Sequence, residues 1–415
     1  MTSPADRRLM WLVPAILAGL SMLGPFSIDT PFPAFREMGR DFSVSSAEMQ
    51  LVVSAYLLAF GLMSPFHGPL SDALGRRPVI VGGVVVYVVA SVGCALSPDL
   101  TTLLVFRVLQ GLSAGGGVIV SRTVVRDMFE GPAAQRLMSR VMMIFGLAPA
   151  VAPIIGGLLL QLGAWPVVFW FMAGAGLLLV AVVVVALPET HPVELRTPLH
   201  PGRLVGTLLE VTRHLPFHRV AWAAALSFAG QFLYIGTAPI FVVELLGLGE
   251  LDFWVFFVPM IAGVTIGAWV SGRAAGHVTT RTLITAALVF STAGAAVNVV
   301  LATLPTAASL PWAVLGPALI AVGTAAAYPS LQLTMLDMFP ATRGASVSMF
   351  TFFTLLLNGL SASALAPFVT GSVLALALAS TGMVLAGLLF WVWHLRATSA
   401  SPRGVPEPVE PTEQL

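Results

Sequence analysis

Two ionisable residues stand where the chain is otherwise apolar. Asp29, in Ser27-Ile28-Asp29-Thr30, is the only carboxylate well inside a long apolar run, and Arg107 is the only arginine deep in one. An ionised group in hydrocarbon costs several kcal/mol unless it is paired or hydrated, so each is a functional candidate by default. Both belong to the first half of the chain, which suggests a pair facing a central cavity. The chemistry open to such a pair is proton exchange. Burial and a neighbouring guanidinium act on a carboxyl in opposite senses, so a change of surroundings can switch its protonation. Two other readings stay open: a static ion pair that fixes helix packing, or an Asp29 high enough to be wetted from outside.

The elements that must position these groups are long helices. A spanning helix needs about 20 mostly apolar residues. Such runs occur at 9–34, 47–66, 79–97, 100–121, 136–161, 165–187, 219–243, 252–271, 282–303, 309–332, 344–367 and 371–395, which makes twelve. They are apolar all round and rich in Gly, Ala and Ser, as helices packed against one another in lipid are. The fold class expected is an all-α polytopic membrane protein of twelve transmembrane helices in two six-helix halves. The halves are residues 1–187 and 219–396. A cytoplasmic central loop, 188–218, joins them, and a disordered cytoplasmic tail, 397–415, follows.

Composition agrees. The 415 residues are 57% hydrophobic and 9% charged, against about 25% charged in a soluble domain. This excludes a soluble enzyme, a nucleic-acid binder and a disordered chain. A net charge of +1 offers no general attraction for acidic partners. The single cysteine, Cys94, excludes a disulfide within the chain. All 20 basic residues are arginine. Apart from Arg107 in a span and Arg36 and Arg40 after the first one, they fall on segments of one side, which places both termini in the cytoplasm by the positive-inside rule.

A weak internal repeat supports the six-plus-six division. Ser27-Ile28-Asp29-Thr30 in the first run matches Tyr234-Ile235-Gly236-Thr237 in the seventh. Gly68 and Arg77 after the second run match Gly272 and Arg281 after the eighth. Transporters are often built from such repeats. The second copy lacks the acids, since Asp29 faces Gly236 and Asp72 faces Gly276. Carboxylate-based proton chemistry is therefore expected in the first half.

The string Gly68-Pro69-Leu70-Ser71-Asp72-Ala73-Leu74-Gly75-Arg76-Arg77-Pro78 resembles the signature loop of the major facilitator superfamily. Two further motifs resemble that family: Arg107-Val108-Leu109-Gln110-Gly111 in the fourth run, and the antiporter motif in the fifth, with Pro149, Pro153, Gly156 and Gly157. Finer likeness points to twelve-span drug:proton antiporters of the Bcr/CflA type. It is carried by Ile28-Asp29-Thr30-Pro31-Phe32-Pro33-Ala34-Phe35, by Val124-Val125-Arg126-Asp127, and by Tyr234-Ile235-Gly236-Thr237-Ala238-Pro239. Two departures stand out: Ala73 replaces the usual Arg after Asp72, and Trp165-Pro166 replaces the usual Trp-Arg.

The resemblance implies proton-coupled efflux of small, largely apolar drug-like compounds across the cytoplasmic (inner) membrane by alternating access. Asp29 would exchange the proton and Arg107 would tune it. Gly68, Asp72, Gly75, Arg76 and Arg77 would form a loop latching the halves on the cytoplasmic side. Tyr56, Gln110, Gln231, Phe232, Tyr234 and Asn358 are candidates for the substrate cavity. The alternative is export or import of a metabolite such as a sugar, amino acid or precursor; a membrane sensor without transport is a third reading. No enzymatic activity and no cofactor beyond the coupling proton are expected. The partners are a small-molecule substrate and the bilayer, with no nucleic acid, for a monomer.

Overall fold

The computed structural model describes residues 4–129, 137, 148–149, 151–196, 200–249, 251–274, 277–339 and 342–399. Arg136, Arg140, Gly276, Pro340 and the segment 400–415 lie outside them. Helices dominate throughout, and no strand occurs among the described residues. In the first half they are α1 (Pro4–Asp29), the short α2 (Phe35–Asp41), α3 (Ser46–Leu74), α4 (Arg76–Ala95), α5 (Leu100–Met128), α6 (151–159) and α7 (Pro166–Ala186). After α8 (Pro201–Arg213) the second half comprises α9 (Leu215–Gly236), α10 (Trp254–Ala274), α11 (Thr280–Ala302), α12 (Trp312–Met338), α13 (Arg343–Leu360), α14 (Ala366–Val369) and α15 (Val373–Ser399).

Ten of the described helical segments are long and apolar enough to cross a membrane. Of the fifth expected run, residues 136, 138–147 and 150 lie outside the described residues. The seventh, α9, carries Arg219 and Gln231, which lower its hydropathy. The ends of the helices follow local chemistry. Ser45 and Glu48 form a reciprocal capping box at the start of α3. Asp99 caps α5 by accepting from the Thr102 N–H at 2.8 Å, and Thr279 caps α11. Pro166 is the first residue of α7, where its missing N–H costs nothing, so the departure at Trp165-Pro166 is a helix start.

Within the first half, α5 packs on α1, α3 and α4, and α7 packs on α1 and α4. In the second half, α12 packs on α9, α10 and α11, and α15 on α9 and α11. The halves meet along α3 and α13. There Gly61 lies against Leu355 and Gly359 against Leu58. Small residues let backbones approach where lipid is as apolar as leucine and no hydrophobic force drives association.

The repeat is visible in the backbone. α1 ends at Asp29 and α9 at the matching Gly236, and both continue into tighter or wider turns: a 3₁₀ turn at Phe32–Ala34, a π segment at Ile240–Leu245. The central loop holds an element that its prolines conceal. In α8, Leu204, Leu208 and Val211 recur at helical spacing, and Val211 is buried in the second-half core with Phe217 and Phe339. α15 runs on to Ser399, past the expected start of the tail.

Candidate functional site: a buried polar network in the first half

Arg107 projects from the second turn of α5 and is fully buried. Its Nε donates to the Val52 carbonyl of α3 at 2.9 Å, and Nη1 donates to Gln110 Oε1 at 2.8 Å. Its guanidinium carbon lies 4.7 Å from the centroid of the Tyr56 ring. A desolvated cation over an aromatic face is stabilised by the ring quadrupole by about 2 kcal/mol. Nη2 has no hydrogen-bond partner.

Gln110 is one turn further along α5. Its Nε2 donates to Ser91 Oγ on α4 at 2.7 Å, so the amide joins α5 to α4 while orienting the guanidinium. Ser91 and Tyr87 are four residues apart and share a face of α4. The Tyr87 hydroxyl meets Ser27 Oγ on α1 at 2.7 Å. A connected set of polar side chains thus ties α1, α4 and α5 together two residues before Asp29.

The final glycine of Arg107-Val108-Leu109-Gln110-Gly111 explains how α5 comes near enough to α3. A Cβ at Gly111 would stand 2.3 Å from the Tyr56 carbonyl oxygen. Only a residue without one allows Arg107, one turn away, to reach the Val52 carbonyl and lie over Tyr56.

Asp29 is buried to 2% exposure, and Oδ1 has no partner. The neighbouring Thr30 hydroxyl is also enclosed and unpartnered. The expected pairing of Asp29 with Arg107 is not what the side chains do. The ion pairs among the described residues are Arg76 with Asp72 and Arg76 with Asp127. The Tyr56 ring lies against the Arg107 guanidinium, and its hydroxyl has no partner.

The antiporter motif reaches this site through one contact. A Cβ at Gly156 of α6 would stand 2.1 Å from the Thr30 carbonyl oxygen and 3.3 Å from Pro33 Cδ. The bare glycine seats α6 on the backbone beside Asp29. Pro153 and Gly157 are buried with it, and Pro149 is half-buried.

The signature loop forms a separate network on the arginine-rich face. Gly75 ends α3 and begins α4 with φ +100°, a conformation that side-chain-bearing residues rarely adopt. Arg76 binds Asp72 and Ser71 through Nη1 and Asp127 through Nε at 3.0 Å. Arg77 donates to the Val184 carbonyl. Glu189, at the start of the central loop, accepts from the Arg76 N–H at 2.9 Å and the Arg77 N–H at 3.1 Å. A carboxylate there satisfies orphan donors at the N-terminus of α4 and complements its dipole. Among the described residues, these partners belong to the first half and the start of the loop. Gly68 has open space where a Cβ would be.

The six candidates for a substrate cavity separate into groups. Gln110 is engaged by Arg107 and Ser91. Tyr234 accepts from Asn298 Nδ2 at 2.7 Å and packs on Phe241 and Phe256 inside the second half. The Tyr56 hydroxyl and Asn358 Oδ1 are buried without partners. Gln231 has no hydrogen-bond partner among the described residues, and Phe232 beside it stacks on Phe228. Sequence reading missed Ser27, Tyr87, Ser91 and the Val52 carbonyl. The i, i+4 spacing of Tyr87 and Ser91 was the available signal.

The Major Facilitator Superfamily description matches residues 17–362. The chain belongs to that superfamily. It is therefore a multi-pass membrane transporter, and family members are not enzymes. It is 33% identical over 276 residues to an MFS-type transporter of Bacillus subtilis, YdgK, covering 66% of this chain and 69% of that one. It is 31% identical over 271 residues to a bicyclomycin resistance protein homologue of Haemophilus influenzae, covering 65% and 68%. Multidrug resistance protein D of Escherichia coli is 30% identical over 263 residues, covering 62% and 64%. Among solved structures, a bacterial homologue of the human lysosomal transporter Spinster, inward-facing and unoccupied, superposes with TM-score 0.73 at 15% identity, covering 96% and 98%. A D-xylose–proton symporter gives 0.72 at 14% identity, covering 92% and 97%. These likenesses establish the family and the twelve-helix fold.

Proposed function

We propose that this transporter exports small, largely apolar drug-like compounds in exchange for protons, by alternating access of its two halves. The observation that carries the reading is Asp29: a buried carboxyl with no hydrogen-bond or ion-pair partner among the described residues. A charge held there without compensation is costly, whereas a proton on the carboxyl removes the charge. Asp29 is thus a residue that carries a proton while enclosed and releases it when the site opens to water. Arg107 is held by a carbonyl, an amide and an aromatic face rather than by a carboxylate. It supplies a fixed positive field near Tyr56 and leaves Asp29 free to change state. The contact of Gly156 with Thr30 couples the antiporter motif to that carboxyl.

The names of the bicyclomycin and multidrug resistance relatives support the direction and the substrate class. With one deep carboxylate, neutral or weakly charged compounds such as phenicols suit the site better than dications. Arginine placement supports cytoplasmic termini in the inner membrane, and we take the monomer as the working unit.

The test is antiport in inverted vesicles with a preset pH gradient. Adding chloramphenicol collapses the gradient with the native chain, and Asp29→Asn abolishes this. Arg107→Ala reduces it strongly while leaving binding measurable. Native flux by the Asp29→Asn protein removes the proton-coupling assignment and leaves the fold.

A further inference from the structure

On the face opposite the arginine-rich one, both halves line a cavity of about 730 Å³, which begins at Phe32 and Pro33, just beyond Asp29 in the chain. Drug-sized ligand sites occupy about 300–1,000 Å³. Its apolar wall is contributed by both halves: Phe32 and Met49 from the first, Ile240 and Val243 from the second. The second-half wall is the π segment Ile240–Leu245. Segments of this kind are rare and frequently accompany functional sites.

The polar groups are unevenly distributed. Gln50 on α3 lines the cavity, is fully buried, and has both amide atoms unpartnered. Leaving such a group unpaired is unfavourable by about 1–3 kcal/mol. At the rim stand Arg36 and Arg40, four residues apart on α2 and exposed. Neither forms an ion pair among the described residues. Acids stand nearby: Glu37 lies between the two arginines on α2, and Glu244 lines the same cavity. Asp41 accepts from Trp165 Nε1 at 2.8 Å, Glu48 closes the capping box, and Glu244 accepts from Ser46 across the halves. Among the lining residues two guanidinium groups stand against one carboxylate, so the vestibule combines an apolar wall, an unsatisfied amide and a net positive rim.

We infer that this vestibule is a second ligand site, distinct from the proton site, that binds an amphiphilic organic anion with its apolar body against Phe32, Met49 and Ile240, a polar atom on Gln50, and its anionic end between Arg36 and Arg40. The inference goes beyond the export reading: the exported compounds are neutral or weakly charged, and this site takes an anion. Occupancy of the site does not require proton coupling.

The test uses the full chain in nanodiscs with three probes of matched shape: 1-naphthalenesulfonate, naphthalene-1-methanol and naphthalene-1-methylammonium. Titration calorimetry reads the affinities. The sulfonate binds saturably and more tightly than the alcohol, and the ammonium binds weakest. The double variant Arg36→Ala, Arg40→Ala weakens the sulfonate by about tenfold, the order of one charge-assisted contact, and leaves the alcohol unchanged. Gln50→Leu weakens both sulfonate and alcohol. Asp29→Asn leaves all three unchanged, so a failed vestibule and a failed proton site give different results. Non-saturable uptake, equal affinity for the three probes, or sulfonate binding indifferent to the arginine double variant overturns the inference. The arginines are exposed and their replacement leaves the core intact, so a misfolded Gln50→Leu protein does not shelter the proposal.

Discussion

Gly156→Ala is a one-methyl perturbation with a calculable consequence. The new Cβ would stand 2.1 Å from the Thr30 carbonyl oxygen. Ordinary carbon–oxygen contacts begin at about 3.3 Å, so α6 and the Thr30 backbone must separate by about 1.2 Å. No flexible side chain can absorb this, because the obstructing atom belongs to the main chain. Overpacking of this kind costs about 1–3 kcal/mol in stability. The functional cost is larger. Thr30 follows Asp29 directly, and misplacing a reacting group by about 1 Å lowers a rate by about a hundredfold. The variant is therefore expected to insert and survive purification, with a modestly lower unfolding temperature, while proton-linked transport in inverted vesicles falls by about two orders of magnitude. Gly174→Ala on α7, where a Cβ meets nothing within 4 Å, is the control and retains transport. Native transport by a correctly folded Gly156→Ala protein refutes the reasoning that this contact holds Asp29 in place.

Gly111→Ala, with its Cβ 2.3 Å from the Tyr56 carbonyl oxygen, drives α5 from α3 and removes the Arg107–Val52 contact; transport falls as far as it does in Arg107→Ala. Gln110→Leu leaves Arg107 Nη1 and Ser91 without their shared partner, at about 1–3 kcal/mol each, so both thermal stability and transport drop, and Gln110→Glu, which keeps the acceptor, restores stability in part. Glu189→Ala uncaps the N-terminus of α4, by about 1 kcal/mol, and frees the start of the central loop, so trypsin cleaves after Arg196 faster than in the native chain while Asp29-dependent transport persists.

Several of these features were readable before any coordinates. The cost of charge in lipid singled out Asp29 and Arg107. Their depth within apolar runs was legible because hydropathy is a local property. Their relationship was not, since whether two side chains on separate helices touch depends on how those helices are rotated and how closely they pack. Tyr56 lies against the Arg107 guanidinium because of the close approach at Gly111. Likewise α8 was concealed by flanking prolines, and its apolar spacing gained meaning only against Phe217 and Phe339.

What the amino-acid sequence determined alone was the membrane class, the helical spans, the repeat and the motifs that name the family. Each rests on composition or on neighbours along the chain. Tertiary structure decided which polar groups find partners: Gln110 with Ser91, Ser27 with Tyr87, Glu189 with α4, and neither Asp29 Oδ1 nor the Gln50 side-chain amide with any described residue. The physical reason is that a hydrogen bond needs its two atoms within about 3 Å, and only the packing of one helix against another brings distant residues that close.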